Sequence, residues 1–291
     1  MKEDNHRPIK VTAWGAYASK RRLWIGFLAL CMMSVSGVRA QTLPFYQGER
    51  IEYELYFKWG LIMSRAGVAT LSVREATYRQ EPAWHYNLLF RTAGLMEKVY
   101  RMRDTMDCHY SKEPRLLFSS KRTNEGDYYL VDDLTFQYPE SKGKVQVHSH
   151  RYTLTRTKID TLLTGEGQVF DMLGATMYLR SLDGASIRSG EEFPFTIAIG
   201  RDMVKARYRY TGQEIVEHKH VKYRTRHFFI DIYDEAFTQT KAAAEVWIGD
   251  DENHVPVKIR AKLKIGAAEV YFREAHNLRT PLTCRIALPK R

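Results

Sequence analysis

Apolar and polar residues alternate along most of this chain with a period of two, the spacing of strands with one buried face. Ile51, Tyr53, Leu55 and Phe57 share one face of a segment that Trp59-Gly60 ends. Val68, Leu71 and Val73 mark a second strand over 67–74, and Trp84, Tyr86, Leu88 and Phe90 a third. A helical turn is expected near 93–98, and a strand over 99–110 carries Tyr100, Met102, Met106, Cys108 and Tyr110. Segments 116–122 and 128–138 flank Asn124-Glu125-Gly126-Asp127, a hairpin turn by composition. Residues 144–150 and 152–157 read as thin, polar strands forming an exposed hairpin or edge. Beyond residue 190 the pattern predicts strands at 192–199, 203–210, 214–223, 228–231, 243–248, 255–265 and 268–274, with Thr211-Gly212 as a turn between two of them.

One stretch breaks the alternation. Gln168 to Arg180 places Leu179, Met172, Val169, Leu173, Met177 and Phe170 within a broad apolar arc at about 100° per residue. Asp171, Gly174, Ala175 and Tyr178 lie opposite. Gly165-Glu166-Gly167 leads into this segment and Asp183-Gly184 follows it, which predicts a helix near 167–181. A single helix with so wide an apolar face has to pack on a sheet. Thirteen or fourteen strands exceed what a flat sheet carries. The expected fold is therefore mainly β: a large, strongly curved antiparallel sheet, an open barrel or roll, with one packed α-helix.

The N-terminus changes where this body is expected to reside. Lys20-Arg21-Arg22 precedes an apolar run from Leu23 to Val35, and Val38-Arg39-Ala40 follows it. This order resembles a secretory signal cleaved before Gln41. Residues 1–40 are then a signal peptide and 41–291 a single β-rich domain. The run is shorter than the roughly 20 residues a membrane span needs, so no transmembrane span is expected after cleavage. A retained anchor is one alternative. Lipidation at Cys31 is another, although Leu30 is large for the position before a lipidated cysteine. The expected location is exported, periplasmic or associated with the outer membrane.

The formal net charge is +11. Lys and Arg are dispersed along strands, with no block and no nucleic-acid motif, so nucleic acid is not an expected partner. After the signal only Cys108 and Cys284 remain. They read as separate buried thiols, with a disulfide as the alternative.

Candidate chemistry is sparse. No P-loop, dinucleotide fingerprint, Gly-x-Ser-x-Gly or His-Glu-x-x-His occurs, and no cofactor is expected. His218 and His220, and likewise His148 and His150, have the spacing of two ligands on one strand face, but neither pair has a third ligand at readable distance. No metal site is expected. Asp171 stands out on the helix, either as an anchor to the sheet or, with a partner carboxylate, as the acid of a glycan hydrolase. Asp250-Asp251-Glu252-Asn253 lacks the alternating ligands of a calcium loop and reads as a hairpin tip closed by Asx turns.

Two stretches carry a family resemblance. Val169-Phe170-Asp171-Met172-Leu173-Gly174-Ala175 through Tyr178-Leu179-Arg180 resembles the helix motif of the DUF3108 family. Trp247-Ile248-Gly249-Asp250-Asp251 through Val255-Pro256-Val257 resembles its Trp-x-Ser-Asp-Asp…Pro-Val hairpin. The opening Gly48-Glu49-Arg50-Ile51-Glu52-Tyr53, with Trp59-Gly60 and Ala66-Gly67, is similar to its first hairpin, so the likeness spans about residues 45–275. Gly174 and Gly249 stand where that family commonly has serine. The resemblance implies an exported β-rich protein of unknown function. Its architecture is similar to the curved sheet of lipoprotein-carrier-like proteins, which hold acyl chains in an open barrel. It marks Asp171, Tyr178, Arg180, Trp247, Asp250 and Asp251 as binding or structural candidates, with no catalytic residue assigned. The expected partners are a lipid or other hydrophobic ligand, or an envelope protein.

Overall fold

The alternating segments form one antiparallel meander. In the computed structural model the described residues are 46–139, 143–233, 240–263 and 266–287, and the expected signal peptide lies outside them. The first half is β1 (Arg50–Trp59), β2 (Ile62–Tyr78), β3 (Glu81–Thr92), the short helix α1 (Leu95–Val99), β4 (Arg103–Ser111), β5 (Leu116–Glu125), β6 (Tyr128–Gln137), β7 (Lys144–Tyr152) and β8 (Thr157–Glu166). The two-residue β9 (Val169–Phe170) and helix α2 (Met172–Arg180) lead into the second half. This half comprises β10 (Glu192–Ile199), β11 (Asp202–His218), β12 (Val221–Tyr233), β13 (Thr240–Gly249), β14 (Pro256–Lys262), β15 (Ala267–His276) and β16 (Arg285–Ile286).

Each strand from β2 to β8 pairs with its predecessor, and each strand from β10 to β15 does the same. β1 also pairs with β15, and β9 runs parallel beside β10. The sheet therefore curls into a nearly closed barrel whose one seam lies between β8 and β9. The seam is bridged near one end, where Ser149 donates to the Gly200 carbonyl at 2.6 Å. α2 enters beside the seam and fills the interior, where Leu173, Ala175, Met177 and Leu179 join the inward residues of both halves in one core.

The helix lies within the expected stretch but begins at Met172. Val169 and Phe170 instead pair with Thr196 and Ile197 as strand, which puts Asp171 at the N-cap. The interior accepts nearly the whole helix surface. Gly174 and Ala175, on the side opposite the predicted apolar arc, are buried, while Met172 within that arc is half exposed.

Three further expectations change. Thr211-Gly212 is a bulge inside the 17-residue β11, because Gly212 adopts φ 142° and the pairing with β12 resumes beyond it. The reversal comes at Lys219-His220, both with left-handed φ. A turn of this kind usually carries Asn or Gly, so composition concealed it. His218 and His220 therefore do not share a strand face: His218 closes β11 and His220 sits in the turn. Residues 152–157 are mostly a turn, and the edge strand is β8; β7 buries Val145 and Val147 and is a wall strand. Cys108 and Cys284 are free and buried.

Candidate functional site

Helix α2 is held at both ends by buried polar groups. At its start the Asp171 carboxylate accepts the Gly174 N–H at 2.6 Å and the Cys108 thiol at 3.2 Å. This cap satisfies one of the backbone donors that every helix leaves open. Burial pushes the Asp171 carboxyl above its usual value, partly offset by these donors. A Cβ on Gly174 would stand 2.8 Å from both Asp171 Oδ1 and the Tyr110 hydroxyl, so the cap and the wall close tightly over this glycine.

At the other end Arg180 has no exposed side-chain surface. Its two terminal nitrogens donate to the two carboxylate oxygens of Glu49 at 2.7 and 2.9 Å. One of them also donates to the Asn253 carbonyl at 3.1 Å, and the Arg180 carbonyl lies 2.7 Å from His254 Nδ1. Burial opposes the guanidinium charge, but Glu49 outweighs it and the net effect raises the Arg180 pKa. Asp171 and Arg180 thus do not pair; each fastens one end of the helix. Between them Tyr208 donates to the Ala175 carbonyl at 2.8 Å, and Tyr86 meets the Thr176 hydroxyl at 3.2 Å. Tyr178 stacks on Phe170 at 5.2 Å and meets Phe195 edge-on.

The remaining sequence candidates fall into two other places. Asp250 pairs with Arg226 and accepts from Gln213, and Asp251 accepts the backbone N–H groups of Asn253 and Cys284 at 3.0 Å each. The expected Asx geometry is present, and it locks the β13–β14 turn to the C-terminal segment. Through Asn253 and His254 that turn also meets Arg180. Trp247 belongs to a different face: its indole donates to Glu214 at 2.7 Å, His227 stacks on it at 4.4 Å, and the Lys258 ammonium lies 4.6 Å from its ring centre. His148 and His150 stack on each other and face Asp160 and Thr157, respectively. Glu52, Glu274 and His276 bring three ligand atoms within 4.8 Å of one another, but Arg50 and Arg273 occupy the Glu52 carboxylate.

A cavity of about 280 Å³ lies between α2 and the inner wall, and none of the sequence candidates lines it. Leu173 and Thr176 form its helical side; Leu55, Leu88, Phe90 and Met106 are among its wall residues. Tyr53 also lines it, and the buried Tyr53 hydroxyl has no hydrogen-bond partner among the described residues. Asp104 and Lys121 add one charge of each sign. A smaller cleft of about 70 Å³ shares Met106 and Lys121 with it and reaches Asp171, Asp132 and Arg151. That cleft has room for a few waters and not for a sugar ring. These wall residues were visible in the sequence as apolar alternation, but nothing there separated cavity lining from packed core. Glu49 lay within the resembling opening stretch, without a sign that its partner is 131 residues away.

The architecture is that of a β-barrel-like protein with an internal helix. The chain belongs to the DUF3108 family, a family of unknown function whose model matches residues 52–273. A solved structure, the beta-barrel-like protein of domain of unknown function DUF1849 from Brucella abortus, shares the fold with a TM-score of 0.54 at 10% identity. The likeness covers 81% of this chain and 99% of that one. No curated protein matches this chain by sequence.

Proposed function

We propose that this chain is an exported cell-envelope protein that binds a small hydrophobic or amphipathic ligand inside its barrel and catalyses no reaction. The observation that carries this reading is the apolar cavity left between α2 and the wall. Ligand pockets span about 300–1,000 Å³, and 280 Å³ lies at the lower bound, which suits one short acyl chain better than a multi-chain lipid. Tyr53, Lys121 and Asp104 offer polar contacts for a head group. Export, to the periplasm or the outer-membrane region, rests on the basic and apolar order of residues 20–40. Asp171, committed to the helix N-cap beside a water-sized cleft, lends no support to a hydrolase.

Mass spectrometry of solvent extracts from the purified chain, with displacement of a fluorescent fatty-acid probe, tests this reading. Wild type is expected to release or bind one acyl ligand, and Leu88→Trp, which fills the cavity, to abolish binding while keeping the strand spectrum. A chain that is ligand-free and shows no saturable probe binding sinks the proposal. A docking role in an envelope assembly is the second reading, favoured by the free edge of β8 with its exposed Leu162. Crosslinking that returns one fixed protein partner and no lipid would favour it.

A further inference from the structure

The two ends of the barrel differ in their surface chemistry. Call the mouth the end that holds the turns after β1, β3, β5, β7, β10 and β14, and the base the opposite end. Fifteen large apolar side chains are exposed among the described residues, and ten belong to mouth turns or their flanking positions. Leu61, Ile62 and Met63 form the tip between β1 and β2, and Leu61 is fully exposed. Leu95 and Val99 project from α1, and Tyr100 follows them. Leu154 and Leu263 repeat the arrangement on the β7–β8 and β14–β15 turns. The base turns, by contrast, carry Arg79-Gln80, Lys219-His220 and the acidic 250–253 segment.

Soluble surfaces seldom concentrate apolar residues in this way unless something covers them. These residues stand on separate turns around an opening rather than on one flat face. Arg65, Lys98, Arg101, Arg156 and Lys262 stand among them, against Glu97, Glu125, Asp127 and Asp202. Apolar tips set among an excess of cations are the pattern by which a protein seats on an anionic bilayer: the tips enter the interface and the cations meet the phosphates.

A second feature points to the same partner. An open groove of about 570 Å³ runs along the outer wall of β1–β3 below α1. Arg50, Arg65, Arg91, Arg103 and Arg273 line it, against Glu52 and Glu97. Glu97 is tied to Arg103 and Thr92, Glu52 to Arg50 and Arg273, and Arg65 to Glu54, whereas Arg91 is paired with no carboxylate among the described residues. Guanidinium groups match phosphate in planar, two-point contacts. The interior cavity reaches toward the same end, since Phe90 and Asp104, beside the β3–β4 connection, line it.

We infer that the mouth of the barrel is a docking surface for an anionic lipid bilayer, with the arginine groove receiving a lipid phosphate. The surface stands on its own residues and does not depend on the cavity holding a ligand.

The test uses the full chain with vesicles of mixed phosphatidylglycerol and phosphatidylcholine, and of phosphatidylcholine alone. Hydrogen exchange with anionic vesicles is expected to protect residues 61–63 and 95–100. Leu61→Ser with Ile62→Ser should lower vesicle partition by about tenfold or more. Arg91→Ala should reduce the preference for phosphatidylglycerol. Ile215→Ser, which removes an exposed apolar side chain toward the base, should leave partition unchanged. The N-terminal apolar run is the same in all variants, and exchange data separate its protection from that of the mouth. Protection confined to the N-terminal residues, equal losses in the mouth and Ile215 variants, or mouth protection by a protein fraction and not by vesicles would each overturn the inference.

Discussion

Removing one partner of the Glu49–Arg180 pair is the sharpest test of how the helix is held. Arg180 is 0% exposed and Glu49 2%, so neither charge has water to fall back on. Glu49→Gln keeps the shape but leaves a buried guanidinium without a counter-charge. Breaking a buried pair in this way costs about 3–5 kcal/mol, a large share of the roughly 5–15 kcal/mol that holds a domain together. For a domain of this size each kcal/mol shifts Tm by about 2–4 °C, which gives a fall of roughly 6–20 °C. Arg180→Met should cost a similar amount, since it strands Glu49 and also removes the donor to the Asn253 carbonyl. The double variant Glu49→Leu with Arg180→Met replaces the pair by apolar groups and should lose far less than the two single losses combined. Urea unfolding followed by tryptophan fluorescence, with calorimetry for Tm, measures all three. A loss below about 1 kcal/mol for Glu49→Gln, or strict additivity in the double variant, would refute the claim that this pair anchors the helix.

Two further outcomes follow from the same geometry. Asp171→Ala should cost about 0.5–2 kcal/mol by loss of the cap, while Asp171→Asn keeps an acceptor and costs less. Because burial raises the folded-state pKa of Asp171, its contribution is most favourable below the unfolded value of about 4 and falls as pH rises through the folded value; denaturant titrations at several pH values should show Asn gaining on wild type in that direction. On the outer wall, burial pushes the Asp107 carboxyl up, but hydrogen bonds from His85, Asn87 and Arg122 outweigh it and hold its pKa at about 2. Its stabilisation is present above about pH 4 and is lost as pH falls toward 2, so Asp107→Asn should flatten the acid limb of the stability profile over that window.

Much of the architecture was legible in the order of residues. Alternation from Ile51 to Phe57 and from Trp84 to Phe90 marks strands because a side chain changes face at every step, whatever the partner strand. The break at 168–180 marks the helix for the same reason, with another period. Local chemistry also fixed the Asx turn at Asp251 and Asn253. The helix start was harder to read, because Val169 and Phe170 fit a helix and a strand equally well and their pairing with β10 decides between them. The turn at Lys219-His220 was hidden because neither residue is a usual left-handed former.

Tertiary structure alone decided the rest. Closure of the barrel through β1 and β15 joins segments more than 200 residues apart. Glu49 and Arg180, 131 residues apart in sequence, meet through that tertiary arrangement. Whether Leu55, Leu88 and Phe90 pack solidly or border a cavity depends on how far α2 stands from the wall, a distance no local pattern encodes. The apolar tips of the mouth were scattered single residues in the sequence, and antiparallel up-and-down topology gathers them at one end. Periodicity reports which face of an element is apolar, and only the closed sheet determines what that face meets.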